Sequence, residues 1–463
     1  MITIKTLIRD YKTKKKSPLE VITQYLKVSK KQNAKLNAYT TITEETAIKQ
    51  AKKIKSFNKP LSGIPIAVKD NFCTQGIRTT ASAKLLDDFV PPYDATVIKR
   101  LKDAGAIILG KTNLDAWAHG SSTETSDYGP TLNPFDYKRV PGGSSGGSAA
   151  VVAAGICPFA IGSETAGSIR VPASWCGVVG VKPNYGRVSR YGVIAMGSSL
   201  DSPGPLTKTV EDSAIILKVL AGKDPYDATT IQESVPDFPN KLNSKDKYTI
   251  GVPEDYLKGV SKEITNKFFE VLKILKKQGH KIKKINLINP KYAISVYTIL
   301  QRAEVSSNLA RYDGIRFGQP RTYFSEQAKR RMMLGAFVLS VGYYDAYYLK
   351  AQKVRTLIIN DLKKAFTQVD LIAAPTTPVT ALRLGESSKN PMFGEIMDAL
   401  VEASSIAGVP GISIPIGLDN HSLPIGMQIF GPWFKEIHIL SLAYQLEQNI
   451  DFYNIKPVNY YEM

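Results

Sequence analysis

Short apolar runs alternate with amphipathic helical stretches along nearly the whole chain, and this alternation is the signature of an α/β fold. Ser17, Pro18, Leu19 and Glu20 have the form of a capped helix start, and an amphipathic helix is expected to follow to about Gln32. Thr43 opens a second helical stretch, and the apolar run Ile64 to Val68 reads as a strand that ends in Lys69. Further on, helices are expected at Ala95–Ala104, Thr209–Leu220, Ser261–Gln278, Glu395–Ile406 and Glu436–Gln448. Strands are expected at Ala106–Leu109, Tyr248–Val252, Asp370–Ala374 and Ile412–Ile416. Residues 223–247 are polar and read as a surface connection rather than a domain boundary, because the alternation continues beyond them. The expectation is one large α/β domain over residues 1–463, with a central mixed, mostly parallel sheet covered by helices.

Composition narrows the function classes. The chain has 463 residues, 43% hydrophobic and 22% charged, which is ordinary globular usage with ample material for a large core. The longest uncharged apolar run, from Gly147 to Gly162, is broken by Pro158 and too short to cross a bilayer. The first sixteen residues carry Asp10 and a lysine cluster where a signal peptide needs an apolar stretch, so the cytoplasm is the expected compartment, with no membrane partner. Cys73, Cys157 and Cys176 are odd in number and form no CxxC pair, so they read as reduced core thiols, with no metal site. The formal net charge of +19 would suit a polyanionic partner such as RNA. The lysines, however, sit mostly at helical spacing in 5–60 and 258–284 without interleaved aromatics, and read as solvated helix faces.

The chemistry concentrates in 141–187, which contains PGGSSGGS (141–148) and GSETAGSIR (162–170). Glycine-rich turns let the backbone approach a ligand closely and aim successive N–H groups at one point, as a developing oxyanion requires. Neither stretch has the Lys of a phosphate-binding P-loop, and no GxGxxG stands at a strand-to-helix turn. Tight packing alone would account for the glycines but not for the paired serines between them.

A serine nucleophile needs a base. The four histidines, His119, His280, His421 and His438, lie outside these segments, although His119 could approach in space, and no GxSxG elbow is present. A lysine can serve when burial lowers its pKa. Lys69, at the end of the apolar strand IPIAV and before the polar pair Asp70 and Asn71, fits that role.

With PIAVKD upstream, the GGSSGGS stretch and the GSIR motif resemble the amidase signature family over nearly the whole chain, with the core of the signature at about 64–205. The resemblance implies a catalytic unit of Lys69, a bridging Ser144 in cis-peptide geometry and the nucleophile Ser168. It also implies an oxyanion site from the N–H groups of the Glu164, Thr165, Ala166 and Gly167 loop, while Ser145 and Ser148 serve packing and hydrogen bonding.

Four further stretches resemble one branch of that family, the glutaminase subunits of tRNA-dependent aspartyl/glutamyl amidotransferases: 111–131, 179–193, 306–318 and 342–358. That resemblance implies glutamine as substrate, with Arg331 holding its carboxylate, Asp398 its ammonium and Tyr297 lining the pocket. It implies a heterotrimer with the amidotransferase's B and C components. The B component would carry most of the contact with Glu-tRNA(Gln) or Asp-tRNA(Asn) and use ATP and magnesium, so that no cofactor is bound by this chain. The complex would act as a C–N bond-forming, glutamine-hydrolysing ligase. A stand-alone amidase for small amides is the alternative. Against the family pattern, Ala166 stands for a usual glycine, Glu164 for a commoner aspartate and Val171 for a usual glutamine.

Overall fold

The computed structural model describes residues 2–242, 245–316, 318–390 and 392–462. Its centre is an eleven-stranded sheet. In chain order the strands are β1 (Tyr39–Ile42), β2 (Pro65–Lys69), β3 (Ile107–Thr112), β4 (Phe159–Glu164), β5 (Val179–Lys182) and β6 (Ser202–Thr207). They continue with β7 (Thr249–Pro253), β8 (Lys281–Ile285), β9 (Leu371–Pro375), β10 (Gly411–Leu418) and β11 (Pro424–Phe430). Their order across the sheet is β1-β3-β2-β4-β6-β5-β10-β11-β9-β7-β8.

The sheet is mixed, as expected, but not mostly parallel. Among the described residues, parallel pairing is confined to β2 with β3 and β4, and to β7 with β8 and β9. Every pairing from β4 through β6, β5, β10 and β11 to β9 is antiparallel, as is β1 with β3. Parallel neighbours need a crossover helix. Thr96–Asp103 supplies one between β2 and β3, and Lys262–Lys277 another between β7 and β8. In the middle of the sheet β10 and β11 are joined instead by a tight turn closed from Leu423 to Asp419 by the Asp419 N–H donating to the Leu423 carbonyl, which enforces an antiparallel pair.

Local signals explain the helix starts. Ser17 and Glu20 form a reciprocal capping box at Pro18–Leu36, and Thr209 caps Val210–Leu220 through Asp212 N–H. The apolar run 147–162 resolves into a fully buried helix, Gly146–Ala153, and strand β4. Small side chains on every face let that helix pack on all sides. On Lys262–Lys277 the apolar face is buried through Ile264, Phe268, Val271, Leu272 and Leu275, while Lys273, Lys276 and Lys277 stand on the solvated face read from the spacing. Residues 223–242 and 245–247 form the expected irregular connection, interrupted by one helical turn at Phe238–Lys241. Cys73, Cys157 and Cys176 are buried and free. Among the described residues no helix is long and apolar enough to cross a membrane.

Strand β8 is one edge of the sheet, and Lys281, Lys283 and Lys284 on it are exposed.

Candidate active site

The carboxyl ends of the neighbouring parallel strands β2 and β4 bring Lys69 together with Ser163 and Glu164. Sites in open α/β sheets form beyond such strand ends. Lys69 is fully buried, and its Nζ lies 2.8 Å from Ser144 Oγ and 3.1 Å from both the Oγ and the carbonyl oxygen of Ser163. Burial pulls the ammonium pKa down to about 7, against the opposing pull of Asp115, Asp201 and Glu164. The adjacent carboxylate does not interfere: Asp70 faces the other way, accepting from Thr80 and pairing with Lys111. Asn71 Nδ2 donates to Ser163 Oγ (2.9 Å) and so fixes the group that flanks Lys69.

Ser144 follows Gly143 through a cis peptide bond. A side chain at Gly143 would lie 2.0 Å from Asp115 Oδ2 and 2.6 Å from Ser122 N, so this approach of the serine loop to 115–122 admits only glycine. Ser145 N–H donates to the carbonyl of Ser168 (3.1 Å) and Ser145 Oγ to that of Ser163 (3.1 Å), tying the serine loop to β4 and to the Ser168 turn. Ser148 Oγ donates to Ile161 C=O, the structural role read for it from sequence.

Ser168 is 5% exposed, and its Oγ makes no hydrogen bond among the described residues. Glu164 is the last residue of β4, and its carboxylate gathers the turn. It accepts from the N–H groups of Ile169 and Arg170 and pairs with the Arg170 guanidinium at 2.6 Å. Arg170, fully buried, also donates to Ser404, Ser405 and Gln428. Along the turn itself, the backbone N–H groups of Thr165, Ala166, Gly167 and Ser168 donate to nothing among the described residues.

The three residues expected to bind substrate come from separate helices; Tyr297 and Asp398 reach this turn, while Arg331 contacts Gln301 and His119. Tyr297, on Pro290–Leu309, has its hydroxyl 3.0 Å from Thr165 Oγ1. Asp398, on Phe393–Ile406, lies against Gly167: a side chain there would sit 2.7 Å from Asp398 Oδ1. Its Oδ2 accepts from Ser121 Oγ (2.8 Å), its Oδ1 has no partner among the described residues, and burial drives its carboxyl pKa well above the usual range. Arg331, on Glu326–Val338, donates to Gln301 Oε1 (3.1 Å) and to the carbonyl of His119 (3.3 Å). No group of three His, Cys, Asp or Glu side chains is placed to hold a metal ion among the described residues.

Sequence reasoning did not find Ser163, Asn71, Asp115 or Ser121. Ser163 is carried by β4, whose FAIGSE sequence lacks an alternating pattern, and the other three act through contacts between segments far apart in the chain. The sequence pattern of the amidase family matches residues 20–440. The chain belongs to the amidase family. This amidase is 46% identical to the A subunit of glutamyl-tRNA(Gln) amidotransferase from Carboxydothermus hydrogenoformans over 479 residues, covering 98% of this chain and 99% of the relative. The protein of the same name from Persephonella marina is 48% identical over 473 residues, 97% of each. Among solved structures, the A subunit of glutamyl-tRNA(Gln) amidotransferase from Thermotoga maritima superposes with a TM-score of 0.85 at 39% identity, covering 97% of this chain and 95% of that one.

Proposed function

We propose that this chain, one amidase signature domain over residues 1–463, is the glutamine-hydrolysing subunit of a cytoplasmic tRNA-dependent amidotransferase. The observation that carries the reading is the buried Lys69 amine 2.8 Å from Ser144 Oγ, in the site whose Ser168 hydroxyl and turn N–H groups have no partner among the described residues. A neutral amine has two N–H groups and one lone pair. One N–H can point to the Ser163 carbonyl, which can only accept, and the second to Ser163 Oγ; in this arrangement the lone pair faces the Ser144 hydroxyl.

In this scheme Lys69 takes the Ser144 proton, Ser144 takes the Ser168 proton, and Ser168 Oγ attacks the carboxamide carbon of glutamine. The oxyanion is held by the N–H groups along Thr165, Ala166 and Gly167, in the turn that Glu164 gathers. The proton returns to the amide nitrogen, the C–N bond breaks and ammonia leaves. Water then cleaves the acyl-enzyme, releasing glutamate and restoring Ser168. Ser-Lys pairs are an established substitute for the histidine of a triad. Arg331 faces the substrate carboxylate, Asp398 its ammonium, and Tyr297 lines the pocket. The names of the similar proteins support the larger assembly. In it, the B and C components complete a heterotrimer, and the B component binds ATP, magnesium and Glu-tRNA(Gln) or Asp-tRNA(Asn).

The test is glutamine-dependent ammonia release by the chain alone and with candidate B and C components, ATP, magnesium and Glu-tRNA. Turnover that rises when the partners and Glu-tRNA are added supports the reading. Full-rate hydrolysis by the lone chain, unchanged by partners, makes it a stand-alone amidase.

A further inference from the structure

The helix Phe393–Ile406 lays one face along the turn that precedes Ser168. Asp398, Val401 and Ser405 follow one another on it at the spacing of a single helix face. A side chain at Gly167 would lie 2.7 Å from both Asp398 Oδ1 and Val401 Cγ2. Asp398 already has a part in the hydrolytic scheme. Ser405, 4% exposed, does not.

The Ser405 hydroxyl meets three groups. It accepts from Arg170 Nη2 (2.8 Å), lies 3.1 Å from Glu164 Oε1 and is hydrogen-bonded to the Ala166 carbonyl. It has one proton to give. Glu164 Oε1 is already served by Nε and Nη2 of Arg170, at 2.9 and 2.6 Å. The Ala166 carbonyl can only accept, and its other donor is Arg170 Nη2 at 3.1 Å. That nitrogen has two hydrogens, which it shares among Glu164, Ala166, Val401 and Ser405. The proton of Ser405 therefore goes to Ala166, and Ser405 is the group that holds this carbonyl.

Holding a carbonyl also fixes the N–H at the other end of its peptide. The peptide from Ala166 to Gly167 is trans, so its N–H points opposite to its C=O. With the carbonyl turned to Ser405 and Arg170, the Gly167 N–H faces away from both, and it donates to nothing among the described residues. The next peptide is held in the same manner, the Gly167 carbonyl accepting from Val171 N–H (2.8 Å), but that holder lies in the helix continuing from the turn itself. Glycine tolerates backbone conformations that other residues avoid, so a peptide bordered by glycine flips at little cost. Flipped, it would present a carbonyl oxygen where an oxyanion needs a donor.

We propose that Ser405 is a positioning residue for the hydrolysis, which keeps the Ala166–Gly167 peptide turned so that the Gly167 N–H serves the oxyanion formed when Ser168 attacks. This deepens the hydrolytic reading and rests on it. Ser405 acts through the turn and not on the substrate, so it governs the chemical step and leaves glutamine binding alone.

The experiment measures ammonia release from glutamine by the full chain, as wild type and as Ser405→Ala, Ser405→Cys, Ser405→Thr and Ser404→Ala, with thermal unfolding recorded for each and rates counted per folded chain. Ser404 donates to the Val401 carbonyl and accepts from Arg170 Nη1, both at 2.8 Å, so its loss loosens the arginine without touching the turn. In Ser405→Ala kcat should fall about tenfold to a hundredfold, less than the loss of an oxyanion donor outright, and the KM for glutamine should stay within about twofold. Ser405→Cys, a weaker donor of similar size, should fall between wild type and Ser405→Ala, and it carries the test if the alanine variant does not fold. Ser405→Thr, which keeps the hydroxyl, should recover most of the rate, and Ser404→Ala should stay within about twofold of wild type. Wild-type kcat in Ser405→Ala and Ser405→Cys, a loss that appears in KM instead, or an equal loss in Ser404→Ala overturns the positioning role while the hydrolytic reading stands. A wild type that releases no ammonia, alone or with the B and C components, overturns both.

Discussion

Asp70 and Lys111 form a fully buried ion pair at 3.2 Å, directly behind the residue that has to stay uncharged. Asp70 is the chain neighbour of Lys69, and its alternating direction along the strand end turns its carboxylate to the opposite side. Lys111 on β3 takes up that charge, so Lys69 has no carboxylate of its own and its proton affinity is set by burial. Breaking the pair by Lys111→Met should therefore do two things. It should destabilise the fold by about 3–5 kcal/mol, the cost of leaving one buried charge alone. It should also slow turnover if Asp70 swings toward Lys69. Denaturant unfolding and the acid limb of the rate profile measure the two effects separately.

The rate should depend on pH through Lys69. Its amine must be neutral to accept a proton, and its pKa is lowered to about 7. Activity should therefore fall about tenfold per pH unit below that value and level off above it. Asp115 opposes the shift by favouring the charged amine, so Asp115→Asn should move the acid limb to lower pH. A kcat/KM profile that is flat from about pH 6 to 8 would contradict the assignment of Lys69 as base.

Ser168→Ala should remove glutaminase activity by several orders of magnitude with the fold intact, because no other hydroxyl is free at the turn. Ser144→Ala and Lys69→Ala should be nearly as severe. The double and triple variants should be no worse than the worst single one, since the three residues act as one relay. Additive losses in initial-rate measurements would mean that the residues work independently.

Gly167→Ala is a steric test of the clamp. The new methyl would meet Asp398 Oδ1 and Val401 at 2.7 Å and Val171 at 2.8 Å. Overpacking of this kind costs about 1–3 kcal/mol, and here it pushes on the group proposed to face the substrate ammonium. The expected result is a raised KM for glutamine, with Ser168 still open to labelling by a small reactive amide analogue. An unchanged KM would place Asp398 outside the binding site.

The parts of this site that were legible in the sequence are those encoded locally. The apolar run into Lys69 and the glycine–serine stretches carry their own pattern, whereas Arg331 and Asp398, on helices as read, were singled out only by the resemblance to the glutaminase branch, since each alone reads as a surface helix charge. Strand β6, SPGPLT, was not legible, because two prolines and a glycine resemble a loop. It is a strand because β4 and β5 pair with it on both sides. The antiparallel middle of the sheet was hidden as well: β4, β5, β6 and β11 were not read as strands, which left the alternation of helix and strand to set the expectation. The site residues missed, Ser121 and Ser163 among them, are short polar side chains whose roles exist only once distant segments meet.

The exposed lysines on strand β8 also say something about how this chain keeps its own company. A second copy pairing its own β8 with this one would lay its Lys281 and Lys283 alongside the same residues of the first, while Lys284 is paired with Glu254. Like charges brought that close repel, and lysine-lined margins are a known guard against sheets joining edge to edge into aggregates. Some of the positive charge that invites comparison with nucleic-acid binders thus acts as a fence, keeping neighbouring copies apart.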